Sequence, residues 1–158
     1  MSSTLFVDAI EPNLSSGVHI AGHVIQVVSA TNTNTANSGF LLETTSSSFT
    51  ASALAATITP SSSSSKVMVF ISTTHYRGGS SSFTIYRGST NLGGSTHGMI
   101  RLTGVQGYWM SSGLTHLDSP STTSSVTYTL YGRSESGTLY VGGDSDMQSN
   151  ITLMEIAQ

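Results

Sequence analysis

Residues 53–73 of the chain read ALAATITPSSSSSKVMVFIST. Two apolar runs, 53–59 and 66–73, have the length and the β-branched content of β-strands, and the five serines at 61–65 separate them. The same contrast, in which apolar runs alternate with connectors of Ser, Thr, Gly and Asn, continues along the whole chain. It predicts a β protein that builds a surface and carries little of the chemistry that an enzyme needs.

The second of these runs also predicts where its strand lies. Side chains of a strand alternate between two faces, so Val67, Val69 and Ile71 share one face. Met68 and Phe70 share the other. Because both faces are apolar, we expect a central strand that has a second sheet on one face and subunit contacts on the other.

About ten runs of this kind indicate short strands spaced by turn signals. They cover residues 23–28, 40–43, 53–59, 66–73, 82–87, 99–103, 107–112, 126–131, 138–141 and 151–156. This number and spacing predict an all-β sandwich or barrel. Residues 29–39 are predicted to form a long polar loop and residues 86–92 a tight hairpin.

Composition excludes several classes of partner. The chain has 158 residues, which suits one domain, and only 8% of them are charged, compared with about 25% in a typical globular protein. Five Lys and Arg residues form no basic stripe, so we expect no nucleic-acid partner. With no cysteine, disulfides and thiolate metal sites are excluded. We expect no membrane insertion, since no apolar run approaches about 20 residues. We expect no secretion by a signal peptide, since the first residues include no basic region and no long apolar run.

Catalytic and metal-binding patterns are weak. His19 and His23 lie four residues apart, but no carboxylate or Cys accompanies them. Asp144 and Asp146 fit an acidic turn better than a calcium loop, which needs a Glu at its end. No nucleophile elbow in a strand–turn–helix setting and no phosphate-binding glycine motif is present. We predict no catalytic residue, no metal, no cofactor and no enzymatic activity; a polysaccharide hydrolase with paired carboxylates is the weakest hypothesis.

Tyr108 and Trp109 are the candidate ligand contacts. Aromatic rings join an apolar face to a polar group and can stack on a sugar ring. The single Trp of a β domain is more often a core or interface residue, and that alternative stays open.

The first 21 residues are predicted to form an extended arm, followed by a β domain at 22–158. An apolar piece at 5–10 and a turn signal at 11–13 favour an attachment segment over a part of the core. The apolar residues predicted to make the attachment are Leu5, Phe6, Val7, Ile10, Leu14, Val18 and Ile20.

Six groups of residues carry a family resemblance. They are LFVDAI at 5–10, GVHIAGHVIQVV at 17–28, TITP at 57–60 with the serine tract and KVMV at 66–69, FTIYRG at 83–88, LDSP at 117–120 and ITLMEI at 151–156. These segments resemble small virion surface proteins of marine and cyanobacterial tailed phages. The resemblance implies an antiparallel jelly-roll sandwich similar to the trimeric tumour-necrosis-factor and complement-type heads. It also implies assembly in the host cytoplasm and display on the virion surface.

Two functions follow from this resemblance. The leading hypothesis is a homotrimeric capsid decoration or cement protein whose arm binds the major capsid protein or another virion protein. The alternative is the receptor- or glycan-binding tip of a head or tail fibre, with a host surface glycan as its ligand.

Overall fold

A computed structural model describes residues 20–33, 39–104, 107–143 and 147–158. Within these ranges the chain forms eleven β-strands and no helix. The strands are β1 (Val24–Thr33), β2 (Leu42–Thr44), β3 (Thr50–Ile58), β4 (Lys66–Arg77), β5 (Ser81–Arg87), β6 (Thr90–Asn91), β7 (Ile100–Leu102), β8 (Trp109–Asp118), β9 (Val126–Ser134), β10 (Leu139–Val141) and β11 (Gln148–Ile156). Each predicted strand overlaps one of these, and the two-residue β6 is additional.

The strands form two antiparallel sheets that pack against each other. In the first sheet, β11 and β10 pair in succession with one edge of β4, and β8 pairs with the other edge. β1 lies beyond β11, and β2 lies beyond β10. In the second sheet, β9 pairs with one edge of β5, β6 and β7 pair with the other, and β3 lies beyond β9. The predicted all-β sandwich is therefore confirmed.

The core lies between the sheets, and β4 supplies its first row. Val67, Val69 and Ile71 are buried, whereas Met68 and Phe70 face outward, as the alternation predicted. Neighbours on both edges confirm the central position of β4. The second sheet contributes to the same core Leu54, Ile58, Phe83, Ile85, Tyr128 and Leu130.

Farther along β4 the inward row becomes polar. Thr73, His75 and Arg77 are all buried. The hydroxyl of Thr73 lies 2.9 Å from the hydroxyl of Ser149 on β11. The Arg77 guanidinium donates to the main-chain oxygen of Gly79 at 3.3 Å. These contacts compensate in part for the removal of polar groups from water.

His75 has no such compensation. Neither ring nitrogen has a hydrogen-bond partner within the described ranges, and the ring packs edge-on against Phe83 with centroids 5.3 Å apart. Burial, together with the positive charge of Arg77, lowers the pKa of His75 from 6.5 to about 4. The core therefore accepts the neutral imidazole.

Glu155, near the other end of the core, is buried with full compensation. Its Oε1 accepts hydrogen bonds from the main-chain N–H and the hydroxyl of Ser61, both at 2.7 Å. Its Oε2 accepts from the side-chain amide of Gln26 at 2.6 Å. Burial alone would raise the pKa of Glu155, but these hydrogen bonds outweigh burial and lower it. Ser61, in the connector between the two sheets, is thus hydrogen-bonded to β11.

Main-chain hydrogen bonds fix where the chain joins the sandwich. Gly22 donates to the carbonyl of Ala157 at 2.8 Å, and Ala157 donates to the carbonyl of His23 at 2.9 Å. We call this end of the sandwich, where β4 begins and β8 and β11 end, the proximal end. The opposite end, where β4 ends and β8 begins, is the distal end.

The hairpin predicted at 86–92 is confirmed. Tyr86 pairs with Asn91, and Arg87 pairs with Thr90. The turn between these pairs contains Gly88 at a φ of 55°, a conformation that glycine adopts without steric cost.

The polar loop predicted at 29–39 is wrong in its first part. β1 continues to Thr33, and Ser29 to Thr33 pair with Thr152 to Gln148 of β11. β1 lies at the edge of its sheet, where Ser, Thr and Asn side chains can face solvent. Polar composition alone therefore did not reveal that the strand continues.

The surroundings of His75 predict a loss of stability in mild acid. A folded-state pKa of about 4 against 6.5 means that stability is complete above pH 6.5 and falls by about 3 kcal/mol as the pH drops to 4. His75→Leu should remove that part of the pH dependence, measured by urea unfolding between pH 8 and pH 4. Thr57→Leu, at an exposed strand position without a titrating group, is the matched control and should leave it unchanged. An unaltered pH profile in His75→Leu would contradict the assignment.

Candidate interaction surface

The outward face of the first sheet carries a row of apolar side chains. Met68 of β4 stands opposite Leu117 of β8 on one side and Met154 of β11 on the other. Met154 in turn stands opposite Val27 of β1. The row therefore crosses four neighbouring strands, and its two ends are well exposed, Val27 at 55% and Leu117 at 44%.

Further apolar residues widen this row toward the proximal end and on its distal side. We call the whole set the apolar band; its members are Val24, Val27, Met68, Phe70, Leu117, Met154 and Ile156. Phe70 is exposed although it lies on the central strand, because nothing in the described residues covers this face of the sheet. An apolar patch of this kind on a soluble domain marks an interaction surface.

A polar row separates the apolar band from the distal end. Asn150 of β11 and Gly113 of β8 stand on either side of Ser72. Thr31 of β1 stands opposite Asn150. The outward face thus carries its apolar residues in the proximal half, together with Lys66, Thr115 and Thr152, and is uncharged in the middle.

An aromatic cluster occupies the distal part of the same face. Strand register places Tyr76 between Trp109 of β8 and Tyr140 of β10. Its ring centroid lies 5.7 Å from that of Trp109 and 5.9 Å from that of Tyr140. Phe40 completes the cluster, with centroids 4.6 Å from Tyr140 and 6.1 Å from Trp109. The four rings form a continuous aromatic surface that can stack on a flat apolar face of a ligand.

The structure separates the two predicted ligand contacts. Trp109 belongs to the aromatic cluster and is half-buried there. It therefore packs against neighbouring rings, as a core or interface residue would, and still exposes part of its ring to a ligand. Tyr108 is 68% exposed and makes no ring contact with the described residues. Sequence reasoning missed Phe40, Tyr76 and Tyr140. Alternation would have placed Tyr76 outward had the strand been extended beyond residue 73.

The predicted attachment residues fall mainly on the undescribed part of the chain. Leu5, Phe6, Val7, Ile10, Leu14 and Val18 lie outside the described residues, and so do His19, Asp144 and Asp146. Ile20 is described and is 46% exposed, just before the hydrogen bonds that join the chain to the sandwich. The attachment role of the arm stays a prediction.

Most described cationic groups at the distal end are held by one carboxylate. Glu135 accepts from Arg101 Nη2 at 2.6 Å and from Arg133 Nη2 at 3.1 Å, and His97 Nδ1 lies 3.1 Å from Oε1. The hydrogen bonds from Arg101 contribute most to lowering the pKa of Glu135 to about 2. The carboxylate therefore stays ionised, and these charges compensate one another within the fold.

Other site types find no support in the part of the chain that the structure covers. No group of three His, Asp or Glu residues there is arranged to hold a metal ion. None of its segments is a helix long and apolar enough to cross a membrane.

No protein-family model and no curated protein matches the chain.

The aromatic cluster predicts measurable coupling between its members. In a double-mutant cycle, Phe40→Ala and Tyr140→Ala should couple by about 0.5–1.5 kcal/mol in the free energy of unfolding, because removing either ring removes the contact. Tyr108→Ala combined with Tyr140→Ala is the control and should be additive. Additive behaviour of the first pair in denaturant unfolding would show that the rings do not stabilise one another.

Proposed function

We propose that the chain is a non-enzymatic structural protein of a tailed-phage virion, and that it decorates or cements the capsid as a homotrimer. The observation that carries this proposal is the apolar band on an uncovered sheet face in a chain with few charges. Such a face favours a role in assembly, because apolar contact is the main source of association energy open to it.

The order of strands supports a jelly roll of the tumour-necrosis-factor and complement-head type. Eight of the strands form two four-stranded layers, β1-β11-β4-β8 and β3-β9-β5-β7. From β3 to β5 and from β7 to β9, consecutive strands of this set alternate between the layers, as they do in two-sheet jelly rolls. The short strands β2, β6 and β10 lie at the margins of this arrangement.

Self-association through the apolar band accounts for its exposure. Met68 and Phe70 lie on the central strand β4, and Leu117 stands beside Met68 on β8, so a partner that covers this face would bury all three. Each would gain about 25 cal/mol for every Å² of apolar surface removed from water. A closed ring of copies leaves no such face exposed, and the trimer implied by the resemblance is the ring that we propose.

The arm is proposed to bind the particle. Gly22 and His23 are hydrogen-bonded to Ala157, so the preceding residues leave the sandwich at its proximal end. The apolar residues of the arm, from Leu5 to Val18, are proposed to contact the capsid surface. With so few charges in the chain, binding would depend on apolar burial and main-chain pairing.

Deletion of residues 1–19 should abolish binding to the particle and leave a folded trimer. The test is co-sedimentation with virions that lack the chain, together with the solution mass of the protein, expected at three times the mass of one truncated chain. Phe70→Ser is the matched variant: it removes an apolar contact from the band and should shift the protein toward monomer while the arm is intact. Undiminished decoration by the truncated chain would refute the role of the arm.

A second function, recognition of a host glycan, is favoured by one observation. The aromatic cluster lies at the distal end, away from the proposed attachment, where a tip would meet its receptor. Stacking on Trp109 and its neighbours would supply the binding energy, with ring hydroxyls of Tyr76 and Tyr140 as polar contacts.

Trp109→Ala should weaken glycan-array binding several-fold under this second function, since one aromatic contact is worth on the order of 1 kcal/mol. Tyr86→Ala is the control, because Tyr86 stacks on Tyr131 in the other sheet, with centroids 3.9 Å apart. Equal binding by the wild type and Trp109→Ala, with folding intact, would remove the aromatic cluster as a glycan site.

A further inference from the structure

A cavity of about 410 Å³ opens at the proximal end of the second sheet. Its walls are Arg87, the turn residues Gly88 and Ser89, and the start of β9 from Ser125 to Thr127. Hydroxyl groups and one guanidinium therefore dominate its polar lining. Val126 is the apolar part of the wall.

Arg87 is held firmly but uses only one of its nitrogens. Nη1 donates to both carboxylate oxygens of Asp118, at 2.9 and 2.8 Å, and to the carbonyl of Ser119 at 3.3 Å. Asp118 is buried and also accepts the hydroxyl of Tyr128 at 2.7 Å. Because Asp118 is fixed from two sides, the guanidinium that it binds is fixed as well. The guanidinium also interacts with the Tyr128 hydroxyl, and its Nε and Nη2 atoms donate to no carboxylate among the described residues.

Arg101 shows what the edge of a guanidinium formed by its Nε and Nη2 atoms binds in this chain. Arg101 presents its Nε and Nη2 atoms to the carboxylate of Glu135, with distances of 3.1 and 3.2 Å from Nε and 2.6 Å from Nη2. Two parallel N–H donors on one edge match the two oxygens of a carboxylate. In Arg87 the equivalent edge holds no carboxylate among the described residues, and Arg87 is part of the cavity wall.

We propose that this cavity receives the side-chain carboxylate of an Asp or Glu residue from the virion protein on which the chain is mounted. The proposal rests on the proposed function, since it takes the proximal end as the end that faces the particle. Arg87 supplies the paired donors, and Ser89, Ser125 and Thr127 supply hydroxyls to the rest of the inserted residue.

The carboxylates of this end are already engaged within the fold. The described carboxylates of the proximal end, Asp118 and Glu155, are buried and hydrogen-bonded within the fold. They do not compete for the Nε and Nη2 edge of Arg87. A side chain is favoured over an added peptide strand, because the Gly88 N–H and the Thr127 carbonyl that line the cavity already bond each other at 2.9 Å.

The first test uses the complete, ¹⁵N-labelled protein and a small probe. N-acetylglutamate N-methylamide carries only a side-chain carboxylate, and the glutamine derivative is its neutral counterpart. We expect saturable NMR shifts of the Arg87 Nε–H and of the Gly88 and Thr127 amides, with a dissociation constant on the order of millimolar for so small a ligand. The glutamine derivative should give none.

Variants then test whether binding depends on the planar guanidinium or only on its positive charge. Arg87→Lys keeps a positive charge beside Asp118 but removes the paired edge, and should weaken probe binding by about tenfold. Arg101→Lys is the matched control and should bind normally. Ser89→Glu, at an exposed position, places a carboxylate at the rim and should block the probe even if Arg87→Lys fails to fold.

Three outcomes would overturn the proposal at this stage: no saturable shift at the cavity, equal binding of the glutamine derivative, or unchanged affinity in Arg87→Lys. Binding of glucuronate without binding of the glutamate probe would overturn the protein partner and assign the cavity to an acidic sugar.

A second test uses virions. Arg87→Lys should reduce the affinity of decoration several-fold without abolishing it. Unchanged decoration despite probe binding would overturn the docking role. If the chain without residues 1–19 still decorates and the probe still binds, the proposed role of the arm fails while the carboxylate site stands.

Discussion

The alternation of side chains along β4 is the constraint on which the rest of the structure depends. A strand of twelve residues has room for an apolar inward row, Val67 to Ile71, followed by a polar one, Thr73 to Arg77. The outward row of the same strand changes from the apolar Met68 and Phe70 to the polar Ser72, and then to the aromatic Tyr76. Since β8, β10 and β11 all pair with β4, their register extends each of these zones across the sheet. A shift of one residue would exchange the core with the surface.

Most of the charged residues that the structure describes pair or form hydrogen bonds within the fold. Arg87, Asp118 and Tyr128 join the end of β8 in one sheet to β5 and β9 in the other. Glu155 joins the connector between the sheets to β11 and, through Gln26, to β1. Buried charges of this kind contribute little net stability, but they penalise any arrangement in which a partner is lost. They help to define which loops meet at the proximal end, where apolar contacts are less specific.

Much of the fold could be predicted from the sequence, because it depends on local patterns. Strand existence, the centrality of β4 and the turn at Gly88 all follow from hydrophobic period and turn chemistry. The lengths of β1 and β8 could not be predicted, since Ser, Thr and Gly in their outer parts are stabilised by pairing with a neighbour distant in sequence. The aromatic cluster was found only in part for the same reason. Trp109 and Tyr140 lie on separate short segments, and only the register of β4 brings them together.

The interaction surfaces differ between the two ends of the sandwich, and this difference links the two proposed functions. The apolar band, the exit of the arm and the Arg87 cavity occupy the proximal half, whereas the aromatic cluster occupies the distal part of the face that carries the band. If copies of the chain associate through the band about a common axis, each copy brings its aromatic cluster toward that axis at the distal end. The same association would then gather the aromatic clusters of the copies around the axis at the distal end, and decoration and glycan recognition would use different residues. Weak stacking at one cluster would be multiplied by repetition.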